Sequence, residues 1–222
     1  MGNRRQRWSD GVRPAGSDPT IDARPPTPEC RSLLAACGLA VLLAASCGAA
    51  RAQSLQDKIE QCTACHGADG RSSDSRIPHI GGQPKLAVMY QLFFYREGRR
   101  KSEEMNLVAK ELTDAELTAI AEHMAKLPAP APVADARDEA RYKRGAELAA
   151  QRLCASCHNA DFSGREQMPR LAGQHEAYLV KALHDYRAGT RVGTQAAMAE
   201  AVRGLTDADF ADLAYFLARV RR

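Results

Sequence analysis

The sequence contains the unit Cys-x-x-Cys-His twice, and this duplication limits what the chain can fold into more than any other feature. The first copy is CTACHG at residues 62–67, and the second is CASCHN at residues 154–159. Two cysteines at this spacing, followed by histidine, can attach a haem covalently, contribute to a zinc site or form a redox pair. The surrounding sequence decides between these alternatives.

A longer internal repeat surrounds the two units. Its aligned segments, at offsets of 91 to 93 residues, are IPHIGGQ at 77–83 with MPRLAGQ at 168–174, YREG at 95–98 with YRAG at 186–189, Met105 with Met198, and LTDAE at 112–116 with LTDAD at 205–209. Small insertions account for the drift in offset. Two copies indicate a tandem duplication of one domain rather than a solenoid, which stacks three or more repeats.

A segment of alternating proline and alanine, residues 128–136, separates the two copies. Such a composition favours an extended, semi-rigid linker. The sequence therefore predicts a leader at 1–52, a first domain at 53–127, the linker, and a second domain at 137–222. A domain of about 80 residues has a marginal core of its own, so we expect a covalently held apolar cofactor to supplement each one.

Both domains show helical patterns. A threonine followed three residues later by Glu or Asp opens the last helix of each domain, which is a capping-box signature. The predicted helices are Pro84 to Gly98, Thr113 to Leu127, about Asp138 to Leu153, Glu176 to Arg187, and Thr206 to Val220, with a short helix before the first cysteine motif. No segment shows a convincing alternation with period two. We therefore predict an all-α fold of two small helical domains joined by a Pro/Ala linker.

Residues 1–52 have the features of an export signal. Seven arginines occur here against four acidic residues, and an apolar run occupies residues 33–45. Ala50-Arg51-Ala52 fits a small-x-small cleavage site, which would make Gln53 the first residue of the mature chain. Acylation at Cys47 is an alternative, since small residues precede it. The apolar run is too short for a comfortable membrane span, so we expect a periplasmic protein, free or peripheral on the inner membrane.

The seven cysteines fall into two groups. Three lie in the leader and four in the repeated units, so the mature chain has no spare cysteine for a disulfide scaffold or a catalytic thiol. One shared zinc site would need the two pairs to converge across 88 intervening residues, and a thioredoxin-like pair needs a strand before its helix. The sequence therefore predicts two covalent haem c groups. The residues predicted to hold them are Cys62, Cys65 and His66 for the first, and Cys154, Cys157 and His158 for the second.

The second axial ligand of each iron is predicted from the repeat. Met and His are the ordinary choices in electron-transfer cytochromes. Met105 and Met198 are the methionines that correspond between the copies, and each lies in a polar, loop-like stretch between two helices. We predict that both bind iron. The competing side chains are Met89, Met124, Met168, His79, His123, His175 and His184, each of which aligns with a different residue type in the other copy.

Two further pairs suggest support for the haem sites. Pro78 and Pro169 follow the proximal histidines by 12 and 11 residues. Each either leaves a carbonyl free to accept the histidine Nδ1–H or forms a simple turn. Arg96 and Arg187 are candidates to pair with haem carboxylates, and surface arginines are the competing interpretation.

The chain resembles the c4-type di-haem cytochromes c over nearly all of 53–222. The resemblance rests on the two cysteine motifs, the repeated Gly-Gln after proline, the Tyr-Arg-x-Gly helix end, and the pair Met105 and Met198. It implies two class I cytochrome domains related by a pseudo-two-fold axis, His/Met ligation, and electron carriage in the bacterial periplasm. It also implies a quinol-oxidising complex as donor and a haem–copper oxidase as acceptor.

The sequence departs from that family in its first domain. Gly145 lies nine residues before Cys154, where the family's first helix contacts the last helix, whereas only Gln53 has this spacing in the first domain. The shortened lead resembles cytochrome subunits that partner a dehydrogenase, such as the haem subunit of flavocytochrome c sulfide dehydrogenase. CASCHN also lacks the usual glycine after its histidine.

The leading interpretation is an electron carrier rather than an enzyme. A haem iron with His and Met on its two faces has no open position for a substrate. The alternative is an electron-accepting subunit of a periplasmic dehydrogenase. A catalytic cytochrome would need an open or Cys-ligated iron, for which no cysteine is spare. Residues 53–222 carry 24 basic and 23 acidic side chains without a basic, aromatic-rich patch, which gives no support for nucleic-acid binding.

Overall fold

The computed structural model describes residues 55–191 and 196–221, which all belong to one compact unit. The predicted leader, its cleavage site, Gln53 and Cys47 lie outside these residues. The helices are α1 at 55–66, α2 Lys85–Arg96, α3 Glu103–Ala109, α4 Asp114–Lys126, α5 Glu139–Gln151, α6 Cys154–His158, α7 Glu176–Arg187, α8 Ala196–Ala201 and α9 Asp207–Arg219. Within the described residues there is no strand, only isolated bridges between Arg100 and Arg191 and between Arg165 and Met168. The all-α prediction is confirmed.

The order of helices repeats in the two halves. Each half has a helix bearing the cysteine motif, a long helix, a short helix with the paired methionine, and a last helix opened by threonine. The capping boxes are both formed. The side chains of Thr113 and Thr206 each accept from the backbone N–H three residues on, and the side chains of Glu116 and Asp209 accept from the backbone N–H of the threonine. These local signals predicted the starts of α4 and α9 because they satisfy N–H groups that have no partner within the helix.

Each half has its own hydrophobic core around its last helix. In the first half α2 packs on α3 and α4, and in the second half α9 packs on α5 and α7. The most deeply buried large side chains are Ile120 and Met124 on α4 and Phe210 on α9. Segment 127–138 has no helix and connects the halves, as the linker prediction requires, while the limits 53–127, 128–136 and 137–222 stay a prediction.

The helix that precedes the second cysteine motif does not continue into it. One helix was predicted from about Asp138 to Leu153, and α5 confirms it within two residues, since its N-cap is Asp138 and it ends at Gln151; α6 begins separately at Cys154. Between them Leu153 adopts φ 54, the left-handed region that a leucine rarely occupies. Gly145 lies where α5 crosses α9, and a Cβ there would lie 2.1 Å from the carbonyl oxygen of Asp212. This close approach confirms the expected contact between the first and last helices of the second half.

Within 55–191 and 196–221, no helix is long and apolar enough to cross a bilayer.

Candidate haem-binding site

Both cysteine motifs border one cavity. It has a volume of about 1130 Å³, and its wall includes residues from both halves. The predicted site residues on this wall are Cys62, Cys65, His66, Met105, Cys154, Cys157, His158 and Met198. The fold thus brings all eight predicted side chains to one cavity, although they come from four separate parts of the sequence.

The first proximal histidine is oriented by a backbone carbonyl. His66 is buried at the end of α1, and its Nδ1 lies 2.8 Å from the oxygen of Pro78. A carbonyl only accepts, so Nδ1 carries the proton and Nε2 keeps its lone pair. Burial lowers the pKa of His66, and the bond to Pro78 offsets part of that effect. A neutral imidazole held in one tautomer is the form that binds iron.

The second half repeats this arrangement. His158 is buried, and its Nδ1 lies 2.8 Å from the oxygen of Pro169. Burial again lowers the histidine pKa, with a partial offset from the bond to the proline carbonyl. Of the two alternatives for these prolines, the structure supports the carbonyl acceptor, since each presents its oxygen to the histidine of its own half.

The four cysteines suit covalent attachment of a group inside the cavity. None forms a disulfide. Cys62 and Cys154 are partly buried, and burial raises the pKa of both thiols, so they carry no charge on the apolar wall. Cys65 is exposed, so a group bonded to it reaches the protein surface. Two sulfurs and one neutral imidazole on each motif fit a haem c.

Met105 and Met198 both line the cavity, but their local structure was predicted wrongly. They lie in the short helices α3 and α8 and not in loops. At α3 the hydroxyl of Ser102 accepts from the N–H of Met105, and Glu103 and Glu104 occupy the first turn. Capping and two acidic side chains at the helix N-terminus favour a helix. The prediction missed it because the high polarity of this stretch is also typical of a loop.

The three competing methionines differ in their position relative to the cavity. Met89 packs in the core of the first half and does not line the cavity. Met124 and Met168 do line it. Met124 is fully buried on α4, and Met168 directly precedes the proline whose carbonyl holds His158. The cavity wall alone therefore leaves four candidates, and the correspondence between the halves still favours Met105 and Met198.

The remaining histidines are partly exposed, as expected. His123 and His184 do not line the cavity. The rings of His79 and His175 meet across the two halves with centroids 3.8 Å apart. Burial, followed by the neighbouring His175, lowers the pKa of His79 to about 4, so this ring is neutral at physiological pH. Sequence reasoning missed this contact between the halves.

The arginines proposed to meet haem carboxylates are elsewhere. Arg96 donates to the oxygen of Leu112 at 2.9 Å and pairs with Asp114, and it does not line the cavity. Arg187 likewise donates to the oxygen of Leu205 and pairs with Asp207. Both hold the start of a last helix, so the prediction that they face the cofactor was wrong.

Another equivalent pair of arginines faces the cavity. Arg100 and Arg191 line it, and they bridge the halves through their backbones. Arg100 is buried and donates to the side chains of Gln91 at 2.5 Å and Tyr178 at 3.0 Å. Burial raises the pKa of Tyr178, but the two arginines outweigh this and lower that pKa overall. The 91-residue repeat offset could have identified this pair, since it relates Arg100 to Arg191.

Comparisons with known proteins agree with this arrangement. The cytochrome c family model matches residues 142–221. Cytochrome c4 of Pseudomonas aeruginosa is 32% identical over 194 residues, which cover 84% of this chain and 95% of that protein. A thiosulfate dehydrogenase electron acceptor of Thiomonas intermedia is 32% identical over 167 residues, which cover 71% of this chain and 77% of that protein.

A solved structure has a similar fold. The crystal structure of reduced recombinant cytochrome c4 from Pseudomonas stutzeri matches with a TM-score of 0.69 and 28% identity, and it covers 76% of this chain and 98% of that one. Together with the cavity, the motifs and the relatives, this assigns the fold and the cofactor type. The chain belongs to the c4-type cytochromes c, which are electron-transfer proteins with covalently bound haem c.

Proposed function

We propose that this chain is a periplasmic di-haem electron carrier. One haem is bonded to Cys62 and Cys65, and the second to Cys154 and Cys157. The observation that carries the proposal is that each half presents a cysteine pair, a carbonyl-held neutral histidine and the equivalent methionine to one shared cavity.

Each predicted site residue has a distinct role in holding the haem. His66 and His158 would each bind a haem iron, and the carbonyls of Pro78 and Pro169 keep each ring in its ligating tautomer. Met105 and Met198 would supply the second ligand, since a thioether is a normal ligand in cytochromes c. When bound, haem supplies reversible one-electron transfer. The protein holds it and excludes water around the iron.

Arg100 and Arg191 are suited to hold the haem carboxylates. A buried cation is costly unless an anion compensates it. Within the described residues, Arg100 donates to the side chains of Gln91 and Tyr178 and lies over the ring of Tyr95, and none of these is a carboxylate. Carboxylates on the haems would supply the missing negative charge inside the cavity.

We infer that the protein is not an enzyme. With histidine and methionine on both faces of each iron, no position stays open to a substrate, and transfer is outer-sphere. Its partners would be redox proteins, with a quinol-oxidising complex or dehydrogenase as donor and a haem–copper oxidase as acceptor. Export through the leader at 1–52 places it in the periplasm, where it can associate with the inner membrane.

A second candidate function is that of an electron-accepting subunit bound to a dehydrogenase. The similarity to a thiosulfate dehydrogenase electron acceptor favours it. Affinity purification of the tagged chain from its native membranes separates the two functions. A stable, stoichiometric dehydrogenase in the eluate supports the subunit, whereas recovery of the cytochrome alone from the soluble fraction supports the free carrier.

The ligands are tested by Met105→Leu and Met198→Leu, with Met89→Leu as the control in the core. Mass spectrometry should first give two haems per chain. The charge-transfer band between iron and methionine should then fall by about half in each single variant and disappear in the double variant, because one thioether serves each haem. A wild-type protein without this band, or a band lost in the control, would show that the assignment is wrong.

A further inference from the structure

One glutamine from each half crosses to the other half. Gln174 and Gln83 are both buried. The Nε2 of Gln174 donates to the oxygen of His79 at 2.9 Å, and its Oε1 accepts from the N–H of His79 at 2.9 Å. The same oxygen also accepts from the N–H of His175 at 3.0 Å. Gln174 thus forms hydrogen bonds with both the backbone N–H and the backbone oxygen of one residue in the first half.

The reverse contact has the same form. The Nε2 of Gln83 donates to the oxygen of Arg170 at 3.1 Å, and its Oε1 accepts from the N–H of Arg170 at 2.9 Å. His79 and Arg170 are equivalent in the repeat, as are the two glutamines. The contact is therefore reciprocal, as a pseudo-two-fold relation between the halves requires.

The bonded N–H groups belong to the peptides that orient the proximal histidines. The peptide unit between Pro78 and His79 contains the oxygen that accepts from His66 and the N–H that donates to Gln174. A peptide unit is planar and conjugated, so a bond at its N–H makes its oxygen a stronger acceptor. A continuous chain of hydrogen bonds therefore runs from Gln174 to His66.

An equal chain runs in the opposite direction. The peptide between Pro169 and Arg170 accepts from His158 at its oxygen and donates to Gln83 at its N–H. A stronger bond at Nδ1 makes an imidazole more basic and a better donor to its metal. Stronger donation stabilises the ferric state, which lowers the reduction potential.

We propose that Gln83 and Gln174 are positioning residues that tune the haem of the other half. Gln174 acts on the iron ligand His66, and Gln83 acts on His158. This inference rests on the proposed function, because it takes the two histidines as the axial ligands. It adds a route by which each half sets the potential of its neighbour.

The test uses the holoprotein variants Gln174→Leu and Gln83→Leu, and each serves as the matched control of the other. The potentials are followed by NMR during a redox titration, with the haem methyl resonances assigned through their contacts with Cys62 or Cys154. Gln174→Leu should raise the potential of the haem at Cys62 and leave that at Cys154. Gln83→Leu should do the reverse, since the bond to the proximal histidine weakens in the opposite half.

A second substitution distinguishes tuning from a loosened contact. Gln174→Glu keeps an acceptor for the N–H of His79 and makes it stronger, so the potential at Cys62 should fall where the leucine variant makes it rise. The Nδ1–H resonance of His66 should move in opposite directions in the two variants. Because the added negative charge by itself also lowers the potential, the Nδ1–H resonance decides: a contact that merely holds the halves together would leave it in place or move it the same way in both variants.

The result that overturns the inference is a shift confined to the haem of the mutated half, or an equal fall of both potentials, which signals entry of water. Failure of the proposed function would look different. In that case the wild-type protein itself would lack the band of methionine-bound iron, whatever the glutamine variants do.

Discussion

The two halves have the same arrangement of side chains around the cavity, but the helices that lead into their cysteine motifs differ. In the first half α1 runs unbroken through 55–66 and carries its histidine at the end. In the second half the helix breaks, and Leu153 is left-handed and 70% exposed. The side chains that line the cavity must fit the same cofactor type in both halves. The exposed segment before each cysteine motif is not constrained in this way, so its sequence and conformation can differ.

The divergence also reverses charge. Glu60 and Asp74 of the first half correspond to Arg152 and Arg165 of the second. Asp74 pairs with Arg76, whereas within 55–191 and 196–221 neither Arg152 nor Arg165 has a carboxylate within 4 Å. Residues 55–127 carry 10 basic and 11 acidic side chains, and residues 137–221 carry 13 and 11. The duplication has therefore produced two similar cysteine–histidine motifs with different surfaces around them.

The largest expected effect concerns the crossing of the first and last helices in the second half. Gly145→Ala places a Cβ 2.1 Å from the oxygen of Asp212 and 2.6 Å from the Cβ of Phe216. Because backbone must move, we expect the free energy of unfolding to fall by about 3 kcal/mol. Chemical denaturation of the holoprotein, followed by circular dichroism, measures this.

Gly189→Ala is the control for that substitution. Gly189 has φ +69 but no atom within 4 Å of an added Cβ, so we expect a loss of only about 1 kcal/mol from the backbone conformation. Equal losses at the two glycines would contradict the close crossing of α5 and α9.

The next effect tests the charge difference beside the cysteine motifs. We expect the double variant Arg152→Glu/Arg165→Glu to be oxidised by the anion hexacyanoferrate(III) about tenfold more slowly at low ionic strength, because local positive charge attracts the anion. Stopped-flow kinetics at rising salt should remove the difference, since salt screens exposed charges.

The variant Lys143→Glu/Arg203→Glu makes the same change in net charge elsewhere on the second half, at side chains that do not line the cavity. It should slow oxidation far less. If both double variants behave alike, the rate depends on the charge of the whole protein and not on the surface beside Cys154.

The broken helix gives opposite signs for one substitution in the two halves. Leu153→Gly should raise the free energy of unfolding by about 0.5 kcal/mol, because glycine tolerates φ 54 and little apolar burial is lost. Gln61→Gly, the equivalent change inside α1, should lower it by about 1 kcal/mol. Two losses of similar size in thermal unfolding would show that Leu153 is not strained.

The smallest effect concerns acid stability. In the first half Lys58 bonds to Glu116 and ties α1 to α4. That bond, with the N–H of Thr113, lowers the pKa of Glu116 from 4.5 to about 2. A carboxylate with a depressed pKa stabilises the fold above its unfolded value, and this stability is lost as pH falls through the folded value. Glu116→Gln should therefore flatten the pH dependence of unfolding between about pH 4.5 and 2.

The second half provides the matched comparison for acid stability. There Asp212 joins α9 to Arg141 and Arg144 of α5, and its pKa is lowered first by the bond from Arg144. Asp212→Asn should lower the stability of the second half at neutral pH and flatten its loss as pH falls below the ordinary pKa of aspartate, while it leaves the contribution of Glu116 in place. If Glu116→Gln leaves the pH profile unchanged, the tie between α1 and α4 is absent in solution.

Local signals predicted most of the fold and of the site. Capping boxes, helix-ending glycines and the spacing of cysteines act over a few residues, so α4, α7, α9 and the two cysteine motifs were found from the sequence. The prolines that hold the histidines followed from the same logic. The helix at Met105 was missed because polar residues that cap a helix also occur in loops. The end of the helix near Leu153 was predicted, but the left-handed conformation of Leu153 was not, because nothing local requires it.

By itself, the sequence determined a duplicated all-α chain with two haem c attachment motifs and two corresponding methionines, because each depends on short-range spacing or on direct repetition. The tertiary structure decided which residues meet between the halves. It turned Arg96 and Arg187 away from the cavity and placed Arg100 and Arg191 in it. It also set Gln83 and Gln174 against the backbone of the opposite half, since such contacts join residues about 90 positions apart and depend on how the two halves pack.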